Sequence, residues 1–129
     1  MQAIDWGSRF EREIGYARAV VSDEWVFVSG CTGGDLVTGE LPADIKAQCA
    51  NTLATIARAL GEADAGFADV VRVRFILPVA ADFERCWPQL RAAFGAAPPA
   101  ATMIVAGLID PAMRIEIEVT ARRPKANQR

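Results

Sequence analysis

The amino-acid sequence predicts an α+β fold in which two amphipathic helices cover one face of a β-sheet. Two segments repeat apolar residues at helical spacing, and five segments are rich in β-branched or aromatic residues that alternate with polar ones. Their order is strand, strand, helix, strand, helix, strand, strand. The length of 129 residues corresponds to a single domain with one hydrophobic core, residues 1–129.

The N-terminal third of the chain predicts a β-hairpin preceded by an irregular segment. Residues 1–14 are predicted to be an extended lead-in, although Trp6, Phe10 and Ile14 are also spaced to share one face of a helical turn. Strands at residues 17–21 and 25–29 flank a polar break and therefore form a hairpin. A glycine-rich loop follows at residues 30–34.

A first helix is predicted to begin at residue 42 or 44 and to end at Gly61. Its apolar stripe consists of Ile45, Cys49, Leu53, Ile56 and Leu60. A third strand follows at residues 69–77. Here Val71, Val73, Phe75 and Leu77 are predicted to face one side, and Val70, Arg72, Arg74 and Ile76 the other.

A second helix is predicted from Asp82, which is a suitable N-cap residue. Its stripe consists of Phe83, Trp87, Leu90 and Phe94. Pro88 interrupts this pattern, because proline lacks an N–H group and clashes with the carbonyl four residues earlier. The helix is therefore expected either to kink near Glu84 or to begin at Trp87.

Two strands at residues 102–106 and 114–120 are predicted to close the sheet. In the last strand the apolar residues Ile115, Ile117 and Val119 alternate with Glu116 and Glu118, so one face is core and the other carries two carboxylates. If the polar faces of the third and last strands coincide, these glutamates meet Arg72 and Arg74. They then form structural ion pairs, or one arginine and one glutamate line a cleft between subunits.

The other face of the sheet is predicted to be covered by further copies of the chain. The second strand is apolar on both sides, with Trp25 and Phe27 opposite Val26 and Val28. Because the helices cover only one face, the other needs a partner, and we expect an oligomer. The residues from Arg122 onward are basic and polar, and residues 123–129 are predicted to be a flexible tail.

Composition excludes several function classes. A formal net charge of −2 gives no attraction to nucleic acid or to anionic membranes. No segment resembles a membrane span or a signal peptide, so a cytoplasmic location is expected. The 3 cysteines are widely separated and there is no histidine, which excludes a disulfide framework, Ser-His-Asp and Cys-His catalysis, and histidine-based metal sites. No metal and no cofactor is predicted.

Short motifs in consistent order resemble one known family. They are residues 15–20 (GYARAV), 28–30 (VSG), 47–48 (AQ), 69–72 (DVVR), 82–83 (DF), 99–100 (PA) and 115–118 (IEIE). Together they resemble the reactive intermediate deaminase family, also called RidA or YjgF and formerly endoribonuclease L-PSP. The resemblance implies a chorismate-mutase-like mixed sheet. It also implies a homotrimer in which the sheets form an inner barrel and small-molecule ligands bind between subunits.

The resemblance also implies site residues. Glu116 matches the glutamate that positions a water, and Tyr16, Ser29 and Gly30 match ligand-contacting positions. Cys31 and Trp87 occupy positions that are often glutamine and asparagine. Ala101 stands where active members carry the arginine that binds the substrate carboxylate, and the run Ala101, Thr102, Met103 resembles an arginine-less branch.

Alternatives remain for most of these residues. Arg74 is a substitute for the missing arginine or only a partner in an ion pair. Cys31 is a nucleophile or a small loop residue, because no neighbouring residue in the sequence would lower its pKa. Tyr16 contacts ligand or is a core ring, and Trp87 stacks on ligand or completes the helix stripe.

Two functions are therefore predicted as alternatives. The first is a trimeric hydrolase that processes an imine, an enamine or a related small metabolite, although standard 2-imino acid deamination is disfavoured by Ala101. The second is a non-catalytic trimer that binds a metabolite or a protein. Cleavage of RNA is the least favoured function, because the acidic chain has neither a basic stripe nor histidine.

Overall fold

The computed structural model describes residues 1–125, which form one mixed, six-stranded sheet with the strand order β1-β2-β3-β6-β4-β5. The strands are β1 (Gln2–Ile4), β2 (Ala19–Ser22), β3 (Trp25–Cys31), β4 (Val70–Leu77), β5 (Ala100–Val105) and β6 (Glu116–Arg122). Only β4 and β5 pair in parallel. The helices are α1 (Ile45–Glu62) and α2 (Ala81–Phe94). The predicted α+β fold, with two helices on one face of a mixed sheet, is confirmed.

The core lies between the helices and one face of the sheet. Ile115, Ile117 and Val119 are buried there, as their alternation predicts. From α1, the residues Ile45, Cys49, Ile56 and Leu60 are buried against this face. All three cysteines are free and buried. Burial of this apolar surface is the main force that holds the helices on the sheet.

The predicted alternation in the third strand is wrong at its first two residues. Val70 is buried together with Val73, whereas Val71 is exposed. The pairing of β4 with β6 shifts between Val70 and Arg72, so that an extra residue is accommodated there. Such a bulge reverses the side-chain alternation on one side of it, and sequence periodicity does not reveal its position.

The predicted alternative in which the second helix begins at Trp87 is wrong. α2 is continuous from Ala81 to Phe94 with Pro88 inside it, because Leu90 and Phe94 are buried and hold its second half against the core. Tertiary packing therefore outweighs the local penalty of proline. Trp87 is exposed, so its predicted place in the buried stripe is wrong.

Asp82 is also not the N-cap of α2, since Ala80 holds that position without a side-chain cap. The Asp82 carboxylate instead accepts hydrogen bonds from the Arg114 guanidinium, with Nη2 to Oδ2 at 2.9 Å and Nη2 to Oδ1 at 3.0 Å. This partly buried pair joins the start of α2 to the residues that precede β6.

The extended prediction for residues 1–14 is correct only for β1. Ser8 and Glu11 form the reciprocal bonds of a capping box: Glu11 N donates to Ser8 Oγ, and Ser8 N donates to a Glu11 carboxylate oxygen. A helical turn follows and includes the π-helical residues Glu11–Gly15. The spacing Ser8-x-x-Glu11 is the sequence signal for this turn. The alternative prediction, in which Trp6, Phe10 and Ile14 share one face of a helical turn, is closer to the structure than the extended one.

The predicted tail begins later than expected. Arg122 belongs to β6, and Arg123 is anchored because its backbone N–H donates to Glu24 O and its Nη1 donates to Ala63 O. Residues 126–129 of the predicted tail lie outside the described residues.

The face of the sheet opposite the helices is not covered by residues 1–125 of the same chain. Trp25 and Phe27 are 38% and 48% exposed on this face. The predicted meeting of charges is confirmed for one pair, since Arg74 Nη1 lies 2.6 Å from Glu118 Oε1. Arg72 instead donates to the Thr102 hydroxyl at 3.3 Å.

Candidate functional site

A cleft of about 1000 Å³ opens beside β3 and β6. Its walls are the N-terminal segment, α1, the loop after β3 and the loop that precedes β6. It is lined by Trp6, Ser8, Phe10, Ile14, Tyr16, Arg18, Gly30, Thr32, Gly34, Asp35, Leu36, Gly39, Thr55, Arg58, Ile109, Asp110, Pro111, Met113 and Glu116. The lining combines aromatic and aliphatic side chains with a few charged groups, as ligand pockets usually do.

Glu116 and Gly30 are in close contact within the cleft. A Cβ atom on Gly30 would lie 2.9 Å from Glu116 Cδ and closer still to Oε2. Only glycine leaves this space for the carboxylate. The regular pairing of β3 with β6 is also interrupted between Val28 and Cys31, next to the glutamate. The backbone of β3 thus directs the Glu116 carboxylate along the cleft wall.

Burial raises the pKa of Glu116 above its ordinary value, and the neighbouring charge of Glu118 raises it further. The positive charge of Arg18 acts in the opposite direction and does not cancel the increase. A carboxyl group with a raised pKa is a stronger proton acceptor when ionised than an ordinary glutamate. Glu116 therefore has the environment of a general base.

Arg18 is the residue of this site that sequence reasoning missed. It precedes β2, and its Nη2 donates to the Gly30 carbonyl at 2.7 Å. Its Nε is buried and has no hydrogen-bond partner among the described residues. The motif Gly15–Val20 contains Arg18, but periodicity alone does not distinguish a strand residue that lines a cleft from one that faces solvent.

The N-terminal segment forms one wall because it is fastened to α1. Trp6 Nε1 donates to Glu62 Oε2 at 2.6 Å, and the Arg58 guanidinium lies 4.1 Å from the centre of the Trp6 ring. Burial raises the pKa of Glu11, but hydrogen bonds from Ser8 and Trp6 and the charge of Arg18 outweigh burial and leave the pKa below its ordinary value. Glu11 is thus held as a carboxylate that organises this wall.

The opposite wall depends on Gln48, which is fully buried in α1. Its Nε2 donates to Pro42 O at 2.7 Å and to Ala112 O at 3.0 Å, and its Oε1 accepts from Arg114 N at 2.8 Å. Gly33 permits close packing here, because a Cβ would lie 2.7 Å from Gln48 Cα. One amide therefore fixes the loop that carries Met113 into the cleft.

The structure brings three of the predicted site residues together in this cleft: Tyr16, Gly30 and Glu116. Ser29 lies next to it, and its hydroxyl donates to Ala17 O at 2.7 Å. The possible roles of Cys31 and Arg74 are not supported. Cys31 is buried, and burial raises its pKa to about 11. Arg74 is paired with Glu118 outside the cleft lining.

The remaining predicted residues lie elsewhere on the same chain. Ala101, Thr102 and Met103 belong to β5 at the far edge of the sheet, and β4 separates β5 from β6. Trp87 is exposed on α2 and contacts Phe83 edge to face, with ring centroids 6.2 Å apart. These four residues do not reach the cleft of their own chain, so their predicted role requires a neighbouring copy.

The described part of the chain contains no cluster of three or more acidic, cysteine or histidine residues suited to a metal ion. Within residues 1–125, no helix is both long and apolar enough to cross a membrane. The polar side chains that line the cleft are those of arginine, aspartate, glutamate, serine, threonine and tyrosine.

The strand order, the cleft and Glu116 together define a class of proteins. In this class two helices pack on one face of a mixed sheet, and a cleft large enough for a small ligand lies beside β6. The family model for endoribonuclease L-PSP matches residues 7–123, so the chain belongs to this family, the RidA/YjgF family. Membership supports binding or processing of a small molecule at a general level. The resemblance inferred from short motifs is thereby confirmed.

Similar proteins cover nearly the whole chain. Protein SCO2049 of Streptomyces coelicolor is 30% identical over 126 residues, covering 95% of this chain and 92% of that protein. The crystal structure of Rv2704 from Mycobacterium tuberculosis, a YjgF/YER057c/UK114 family member, is 36% identical with a TM-score of 0.84, covering 94% and 98% of the two chains. A putative endoribonuclease from Thermotoga maritima is 26% identical with a TM-score of 0.82, covering 95% and 93%.

Proposed function

We propose that the protein hydrolyses the C=N bond of a small imine, with Glu116 as general base. The observation that carries this proposal is the position of Glu116, a half-buried carboxylate with a raised pKa inside a cleft of ligand size. A raised pKa brings a carboxylate closer to the range that suits proton transfer near neutral pH. The family to which the chain belongs makes an imine the natural substrate class.

The chemistry balances with water as the only co-substrate. Glu116 accepts a proton from water while the water oxygen attacks the imine carbon, and the C=N bond becomes a single bond. The nitrogen takes up the proton held by Glu116 and then the proton of the newly added hydroxyl group, and it leaves as ammonia while the C–O bond becomes a carbonyl. The Tyr16 hydroxyl and cleft backbone N–H groups are suitable donors to the developing charge.

We also propose that the cleft is completed by a second copy in a homotrimer. Trp25 and Phe27 leave an apolar surface on the open face of the sheet, and large apolar patches usually mark interfaces. The edge strand β5 carries further exposed apolar side chains, including Met103. In such an assembly Trp87, Ala101, Thr102 and Met103 of one copy line the cleft of the next. A cytoplasmic location is proposed with it, because three buried free thiols suit a reducing compartment.

A second candidate function is binding of a metabolite or a protein without turnover. Ala101 favours it, because a methyl group offers no hydrogen bond to a substrate carboxylate at the position where active relatives have arginine. Ribonuclease activity is not proposed, although some relatives are named putative endoribonucleases. The chain is acidic overall and has no histidine to act as acid or base.

The decisive experiment measures release of 2-oxobutanoate from freshly generated 2-iminobutanoate by wild type, Glu116→Gln and Glu84→Gln. Glu84 is an exposed glutamate of α2 and serves as the matched control. We expect the Glu116 variant to lose at least about a hundred-fold in kcat, as removal of a general base typically does, and the control to be unaffected. Equal turnover by wild type and the Glu116 variant would remove Glu116 from the mechanism. Thermal stabilisation by the product without turnover would favour the binding function.

A further inference from the structure

Two of the residues that line the cleft are arginines, Arg18 and Arg58, and their side chains have different interaction partners. Arg58 lies over the Trp6 ring, and its Nε is 3.3 Å from Glu62 Oε1. The Arg58 guanidinium therefore helps to hold the N-terminal segment against α1. The Arg18 guanidinium also lies over the Trp6 ring, but farther from its centre, at 5.9 Å. Arg18 makes no ion pair within 4.0 Å among the described residues, and only its Nη2 has a hydrogen-bond partner.

The carboxylates that share the cleft with Arg18 have other roles. Asp35 Oδ1 accepts from the backbone N–H groups of Val37 and Thr38, and these bonds lower the pKa of Asp35. Asp110 Oδ1 accepts from Ala112 N. Glu11 and Glu116 are close enough for the charge of Arg18 to lower their pKa values, but neither forms an ion pair with Arg18 among the described residues. The positive charge of Arg18 is thus incompletely neutralised.

The position of Arg18 also suits a ligand that reacts at Glu116. Its guanidinium is bound to the carbonyl of Gly30, and Gly30 is the residue against which Glu116 packs. The cation and the proposed general base are therefore both adjacent to Gly30. A guanidinium presents its donors in a planar fork that matches a carboxylate. Nε of Arg18 is buried and one donor of Nη2 is engaged with Gly30 O, so the remaining donors on Nη1 and Nη2 are left for a ligand.

We propose that Arg18 binds the carboxylate of the ligand and so takes the role that is absent at position 101. This assignment rests on the proposed function, because it takes the cleft as the site of the reaction. It restricts the substrate class to small 2-imino or 2-oxo acids whose carboxylate lies toward Arg18 and whose reacting carbon lies toward Glu116. Neutral imines of the same size are bound more weakly.

The test is a titration of 2-oxobutanoate and of its uncharged methyl ester into the full-length protein, followed by calorimetry or ligand-observed NMR. We expect wild type to bind the acid at least about ten-fold more tightly than the ester, since a charge-assisted hydrogen bond contributes that much. Arg18→Gln should abolish the preference. Arg85→Gln, a change in an exposed arginine of α2, should keep it.

The melting temperature of each variant is measured to check its folding, because Arg18 also donates a hydrogen bond to Gly30 O. Arg18→Lys provides a second variant that retains the charge without the fork, and it should keep a reduced preference for the acid. Equal affinity of wild type for acid and ester, or an unchanged preference in Arg18→Gln, would overturn the assignment.

Hydrolysis of 2-iminobutanoate by the same variants separates the two proposals. Turnover in wild type with an unchanged KM in Arg18→Gln would refute the anchor and leave hydrolysis standing. Arg18-dependent binding of 2-oxobutanoate without turnover in wild type would refute hydrolysis and support the anchor. A KM that rises at least about ten-fold in Arg18→Gln, with a smaller change in kcat, supports both.

Discussion

Replacement of Gln48 by methionine tests whether one buried amide holds the wall of the cleft. Methionine is close to glutamine in length and removes both the donor and the acceptor. The change deletes the bonds to Pro42 O, Ala112 O and Arg114 N, whose lengths lie between 2.7 and 3.0 Å. These bonds attach α1 to the chain before it and to the loop before β6.

The magnitude follows from those three bonds. Each contributes about 1 kcal/mol net, so we expect the free energy of unfolding to fall by about 3 kcal/mol. The carbonyl of Ala112 belongs to an exposed residue and can bond to water instead, whereas Arg114 is only partly exposed. We therefore expect the free energy of unfolding to fall by about 2–4 kcal/mol, which corresponds to a melting temperature lower by roughly 10 °C.

The assay is urea unfolding at fixed protein concentration, followed by circular dichroism. Gln89→Met is the matched control, because Gln89 lies on α2 and makes one bond, from its Nε2 to Lys46 O at 3.1 Å, while its Oε1 is buried without a partner. We expect this control to change stability by less than about 1 kcal/mol. A loss below about 1 kcal/mol for Gln48→Met, or equal losses for the two variants, would refute the reasoning.

Three further outcomes are expected. Since burial raises the pKa of Cys31 to about 11, only roughly one thiol in a thousand is ionised at pH 8, so iodoacetamide should leave this residue unmodified in the folded protein by mass spectrometry. Because the folded-state pKa of Glu116 lies above 4.5, its carboxylate form destabilises the fold as the pH rises. The stability of Glu116→Gln relative to wild type should therefore increase from about pH 4 to pH 7, and a decrease in denaturant titrations would contradict this. Gly30→Ala should lower kcat/KM about ten-fold or more with little loss of stability, whereas Gly33→Ala should cost about 1–3 kcal/mol, because the first methyl meets a flexible carboxylate and the second meets backbone. The opposite ranking would contradict this account.

The sequence alone determined the fold class, the order of the predicted elements and the core face of the last strand. These features depend on local periodicity, which is the same in the isolated segment and in the folded chain. It also singled out Glu116, Gly30 and Tyr16, which belong to short motifs typical of one family and which the structure brings together in one cleft. The capping box of Ser8 and Glu11 is also a local pattern, and it can be recognised in the sequence.

Only the tertiary structure decided the features that depend on contacts between distant segments. Pro88 lies inside a continuous helix because the core holds Leu90, and Asp82 pairs with Arg114 across 32 positions rather than capping α2. Arg18 lines the cleft, whereas Arg74 does not, because the register of β4 with β6 places Arg74 opposite Glu118. Strand register and loop packing are set by the whole core, so no local pattern specifies which arginine lies in the cleft with Glu116.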